Sequence, residues 1–130
     1  NVFKTSGRIN STWGGNLIDM VRCQRYLEIM EEDNLVQNAA EMGKYMLSKL
    51  QQIQDKYAGI ISNVRGRGLM CAFDVITPGK RDELRNTAFK EGVLILPCGK
   101  SSIRFRPALT INTQEIDLAA VVIDKVVGTL

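Results

Sequence analysis

The chain contains no histidine, which excludes a Ser-His or Cys-His catalytic pair within it, since both depend on imidazole as the base. Long apolar runs are also missing. None approaches the ~20 residues a membrane-spanning helix needs, so no membrane partner is expected. No cationic segment followed by an apolar one opens the chain as a secretory signal would. Cysteine is sparse: Cys23, Cys71 and Cys98 are odd in number, far apart and without metal-ligand spacing. Such thiols are expected in core-like positions of a reduced, cytoplasmic protein, with no metal site. An initiator Met is absent as well; Asn1 leads straight into structured-looking sequence, so a piece of something longer is expected.

What is present is ordinary for a globular domain. The 130 residues are 45% hydrophobic and 24% charged, enough for one core without staples. The net charge of +3 is spread along the chain. It falls short of the clustered basic stripe of a nucleic-acid binder, and no nucleic-acid partner is expected.

The first sixteen residues read as loop and short strand. From Leu17 a helical stripe runs through Met20, Cys23, Leu27 and Met30. Asp33 or Asn34 can cap a second helix, in which Leu35, Ala39, Met42, Met46, Leu50, Ile53 and Tyr57 keep three- and four-residue steps up to Gly59. "NVRGRGLMCAFDV" reads as one buried strand entered through Gly66 and Gly68. Thr77 and Pro78 open a short helix that closes near Gly92. "VLILP" reads as another buried strand, "CGKS" as a turn, and "SIRFRP" alternates with period two. Asn112 with Glu115 predicts a capping box for a last helix through Ile116, Ala119, Ala120, Ile123 and Val127. The sum is a two-layer α/β or α+β unit, with helices against a small sheet.

Four motifs bear on function. Gly99-Lys100-Ser101 imitates the end of a phosphate loop, but Leu94 stands where that motif needs glycine and a strand follows instead of a helix, so a hairpin turn is predicted. "RGRG" suits glycines that allow close backbone approach, with Arg65 and Arg67 in salt bridges or interface contacts; an RNA contact is the weaker alternative. In "SIRFRP", Ile103 and Phe105 fall on one face and Arg104 with Arg106 on the other. Two guanidiniums there imply either structural ion pairs, or a solvated face, or a carboxylate clamp. "NSTWGGN" is either a loop with a helix start or a phosphate seat, with Thr12 donating its hydroxyl and Gly14 and Gly15 leaving N–H groups accessible.

Together "STWGGN", the two following helices, "VRGRGLMCAF", "GVLILPCG" and "IRFRPALTINTQEID" resemble the C-terminal part of class III, fold-type I pyridoxal-phosphate aminotransferases. "RINSTWGGN" with "RGRGLMCAF" is similar to the lysine ε-aminotransferase (L-lysine 6-transaminase) subfamily, with the 4-aminobutyrate transaminases as competitor. The resemblance implies residues 1–16 as an interdomain loop and residues 17–130 as the small C-terminal domain. It implies that Thr12 bonds the phosphate of the neighbouring subunit's cofactor, flanked by Ser11 and Asn10. It assigns the substrate carboxylate to Arg104 and leaves Arg106 a supporting role. It implies pyridoxal 5'-phosphate, an amine donor and a 2-oxo acid such as 2-oxoglutarate, a homodimer, and a large domain holding the Schiff-base lysine upstream of Asn1. No catalytic residue is then expected in this chain, Lys4 included, and the chain alone is expected to be inactive. A non-catalytic anion-binding or regulatory module of the same fold is the alternative from another class.

Overall fold

Asn16 starts the first helix: its side-chain oxygen accepts the Ile18 N–H at 2.9 Å, a standard N-cap. This helix, α1, spans Leu17–Glu32. The computed structural model describes residues 4–130 and resolves them into two compact units that meet between Asn34 and Leu35. Within the first unit the expected apolar stripe of α1 finds nothing to pack on. None of its residues is buried, and Leu17 is 76% exposed. Cys23 is exposed with it, against the expectation of core-like thiols throughout. Asp33 closes α1 instead of opening the next helix, and Asn34 turns the chain with φ 51°, a left-handed conformation that asparagine tolerates.

The second unit carries the core. Helix α2 (Leu35–Lys56) buries Leu35, Gly43, Met46, Leu50 and Ile53, largely the expected stripe. The predicted single strand after it is in fact a hairpin, β1 (Ile61–Arg67) and β2 (Met70–Val75), joined by a two-residue turn at Gly68 and Leu69. At the turn Gly68 takes φ +52°, which reverses the chain at no steric cost. Thr77 caps α3 (Pro78–Lys90) by accepting the Lys80 N–H. "VLILP" is not a buried strand. Only Ile95 of it is buried and Leu94 is 74% exposed; pairing begins in β3, Leu96–Cys98. Pro97 lacks an N–H and suits this edge position. Gly99–Ser101 is the expected turn into β4 (Ser102–Phe105).

The strands form one antiparallel sheet in the order β1-β2-β4-β3. Alternation sends Cys71, Phe73, Val75 and Ile103 into the core, where they join buried residues of α2, α3 and the last helix, α4 (Thr113–Val127). The Phe73 and Phe105 rings lie 5.7 Å apart. Helices thus cover one sheet face, the expected two-layer arrangement.

Helix α4 begins at the predicted capping box, with reciprocal bonds between Asn112 and Glu115 at 3.0 and 3.1 Å. Asn112→Ala is expected to cost about 1 kcal/mol, read as a lower urea midpoint with an unchanged slope.

Candidate functional site

The loop before α1 is built as a tight turn. The Gly14 N–H donates to the Ser11 carbonyl at 3.2 Å and the Asn16 N–H to the Trp13 carbonyl at 3.3 Å. The expectation that Gly14 offers a free N–H therefore fails, because the turn itself uses it. Gly15 has φ +82° and open space where a Cβ would stand. Asn10, Ser11 and Thr12 are all exposed. Thr12, Trp13, the two glycines, Asn16 and Leu17 line a shallow depression at the N-terminus of α1, the end of a helix that favours negative charge. A small anion such as a phosphate fits this chemistry: an exposed hydroxyl, glycines that admit a close approach, and the positive helix end. Lys4 is exposed at the far end of this segment.

The second candidate is the sheet face away from α2, α3 and α4. Register places Arg65, Ala72, Arg104 and Leu96 in one row across the four strands. The neighbouring row holds Ser62, Asp74, Ser102 and Cys98. Asp74 is the hub of a cluster: it accepts from the Ser102 hydroxyl, from the Asn63 side chain at 2.7 Å and from Arg65 Nη2 at 3.0 Å. Arg65 also donates to Ser102 Oγ at 3.2 Å and to the Asn63 carbonyl at 2.8 Å. Partial desolvation acts to raise the Asp74 pKa, but the hydrogen bonds from Ser102, Asn63 and Arg65, with the Arg65 charge, outweigh it and hold the carboxyl below its usual range.

Arg104 stands apart from that cluster. It is half-buried, and its Nε is buried without a hydrogen-bond partner. Among the described residues it forms no ion pair. Of the three readings of "SIRFRP", structural ion pairing is thereby removed for Arg104. Arg106 lies one residue past the end of β4 and is exposed. Arg65 is ion-paired as expected, whereas Arg67 is exposed and has no acid partner among the described residues. Gly66 shows the expected close approach: a Cβ there would lie 2.7 Å from the Met70 carbonyl. Cys71 is buried beneath this hairpin, and burial pushes its thiol up to about 11.

Sequence reasoning overlooked Asn63, Asp74 and Ser102 as a group. A single acid inside the apolar run "MCAFDV" was the available signal, since an acid there needs donors from its neighbours. No helix among the described residues is long and apolar enough to cross a membrane.

The comparisons with known proteins agree in their direction. L-lysine-epsilon aminotransferase from Mycobacterium tuberculosis (strain ATCC 25618 / H37Rv) is 46% identical over 92% of this chain and 26% of its own length. The mitochondrial 4-aminobutyrate aminotransferase of Sus scrofa is 37% identical over 85% of this chain and 22% of its own. A solved lysine aminotransferase from M. tuberculosis superposes with a TM-score of 0.89 at 43% identity, covering 99% of this chain and 30% of that one. The chain therefore spans between a fifth and a third of these relatives. Residues 1–127 match the family described as aminotransferase class-III, and with the motifs and fold above this means that the chain belongs to the class III aminotransferases.

Proposed function

We propose that the chain is the small C-terminal portion of a pyridoxal-phosphate-dependent aminotransferase that moves the ε-amino group of L-lysine to 2-oxoglutarate. Residues 1–16 act as the interdomain loop and residues 17–130 as the small domain, in a cytoplasmic homodimer. The observation that carries this reading is Arg104, a guanidinium on the sheet face away from α2, α3 and α4 that forms no ion pair among the described residues.

When bound, pyridoxal phosphate supplies the aldehyde that exchanges an amino group and the ring that spreads the resulting charge. This chain's residues bind and orient. Thr12 donates its hydroxyl to the phosphate held by the neighbouring subunit, with Ser11 beside it and Gly14 and Gly15 allowing the approach. Arg104 holds the substrate carboxylate with two parallel charge-assisted bonds, which restricts the reacting carbon to a narrow range of positions. Arg106, exposed beside it, supports the local positive field. The chemistry itself needs a lysine that this chain does not supply, so residues 1–130 alone are expected to be inactive.

The test is amino transfer by the full-length protein that carries this segment, assayed with L-lysine and with 4-aminobutyrate as rival donors. Turnover with L-lysine is the expected result. Preference for 4-aminobutyrate would reassign the substrate, and no transfer from any amine would favour the non-catalytic anion-binding module. Thr12→Val should weaken cofactor retention about tenfold, as loss of one hydrogen bond to a charged group does, measured by equilibrium dialysis of pyridoxal phosphate. Thr12→Ser should retain it.

A further inference from the structure

Asn38, in the first turn of α2, reaches a loop 71 and 73 residues further along the chain. Its side-chain amide donates to the Leu109 carbonyl at 2.7 Å and to the Ile111 carbonyl at 3.0 Å. Both partners are acceptors only, so the amide spends both of its hydrogens on them, which a carboxylate of the same shape could not do. The loop, residues 106–112, carries the chain from the end of β4 to the start of α4. Its far end is fixed by the Asn112 cap, and the Ile111 N–H donates to the Ala108 carbonyl at 3.1 Å within it. Asn38 thus ties the middle of this loop to a helix that belongs to the core.

We propose that Asn38 is a positioning residue that fixes, through this loop, the direction in which Arg106 leaves the sheet beside Arg104. The inference rests on the reading of Arg106 as a support to the carboxylate anchor. Arg104 needs no such help, because β4 pairs it with Ala72 on one side and Leu96 on the other. Arg106 stands one residue past the end of β4, beyond the last paired residue, Phe105. Only Arg106, Pro107 and Ala108 separate Phe105, held by β2, from Leu109, held by Asn38. This stretch is stiff. Proline fixes its own φ, and the residue before a proline is confined to extended conformations. Few torsions remain free, so a pinned Leu109 carbonyl limits where the Arg106 backbone can point. Without the pin the Arg106 side chain sweeps a wider arc, and ordering it at the moment of binding costs affinity.

The experiment is a mutant cycle between Asn38 and Arg106 in the full-length protein. It is read by KM for 2-oxoglutarate against kcat, and by the inhibition constant of glutarate, a non-reacting dicarboxylate. Asn38→Ala is expected to raise KM and the inhibition constant about two- to tenfold, the range set by ordering one long side chain, with kcat little changed. Asn38→Asp, which keeps the shape and loses the donors, should do at least as much. In an Arg106→Met background Asn38→Ala should change neither constant further, because its route to the ligand is gone. Asn38→Gln keeps the donors on a longer stem and serves if Asn38→Ala misfolds; it should show the same split at smaller size. Additive effects of Asn38→Ala and Arg106→Met overturn the inference, as does a lower melting temperature with both constants unchanged, which marks a role in the fold alone. If Arg106→Met by itself leaves both constants unchanged, the reading of Arg106 fails. If Arg106→Met weakens binding and the Asn38 variants do not, only the positioning role fails.

Discussion

Gly43→Ala is expected to destabilise the second unit by about 2 kcal/mol, even though alanine is the better helix former. The two effects oppose one another. Alanine in a helix interior gains about 1 kcal/mol over glycine. Against that, a Cβ on Gly43 would sit 2.1 Å from the Gly68 carbonyl oxygen and 2.4 Å from its carbon. Both are backbone atoms of the hairpin turn, so no side chain can rotate away to relieve the clash. Overpacking of this kind costs up to about 3 kcal/mol, and the steric term wins. For a unit of this size the melting temperature should fall by roughly 10 °C. Gly79→Ala is the control of opposite sign: it stands near the start of α3 with nothing within 4 Å of a Cβ, and should be neutral or stabilising by up to about 1 kcal/mol. Equal melting temperatures for the two variants would remove the close approach of α2 to the hairpin as a constraint on the fold.

Arg104→Met in the full-length protein should lower kcat/KM for the 2-oxo acid by at least about a hundredfold while leaving folding intact. Two charge-assisted bonds, each worth roughly 1.5–3 kcal/mol, are lost, and every 1.4 kcal/mol is about tenfold. Lysine at this position should recover only part of the loss, because an ammonium is a point charge without the planar fork. Stability is the discriminating measurement. Arg104 has no ion pair among the described residues, and its buried Nε lacks an acceptor, so methionine keeps the packed stem and removes an uncompensated polar atom. A large drop in stability, with carboxylate affinity unchanged, would show that Arg104 serves the fold and not the ligand. Arg106→Met should have a smaller effect, since that side chain is exposed beyond the strand.

Much of this was legible in the chain as written. The 3.6-residue stripe of α2, the Thr77-Pro78 start of α3 and the Asn112–Glu115 box of α4 are local signals, each decided by residues within one or two turns. The alternation that puts Ile103 inward and Arg104 outward is equally local. So are the family motifs: a hydroxyl next to paired glycines, and arginines at period two, can be recognised without coordinates.

Other features depend on what lies across space. The apolar run through Gly66 and Gly68 looks the same whether it is one strand or a hairpin; only the fit of Gly68 against Gly43 of α2 decides for the reversal. The stripe on α1 has the right period for a core helix, yet periodicity cannot say whether its unit supplies a surface to pack against. Asp74, Arg65 and Ser102 are up to 37 residues apart, and strand register alone makes them neighbours. The order of residues thus determined which segments coil, which extend and which carry charge. Tertiary packing determined which charges cancel, because pairing depends on distances of a few ångströms set by strands that meet only after folding. Arg65 and Arg104 look alike in the sequence; the sheet gave an acid to one and, among the described residues, none to the other.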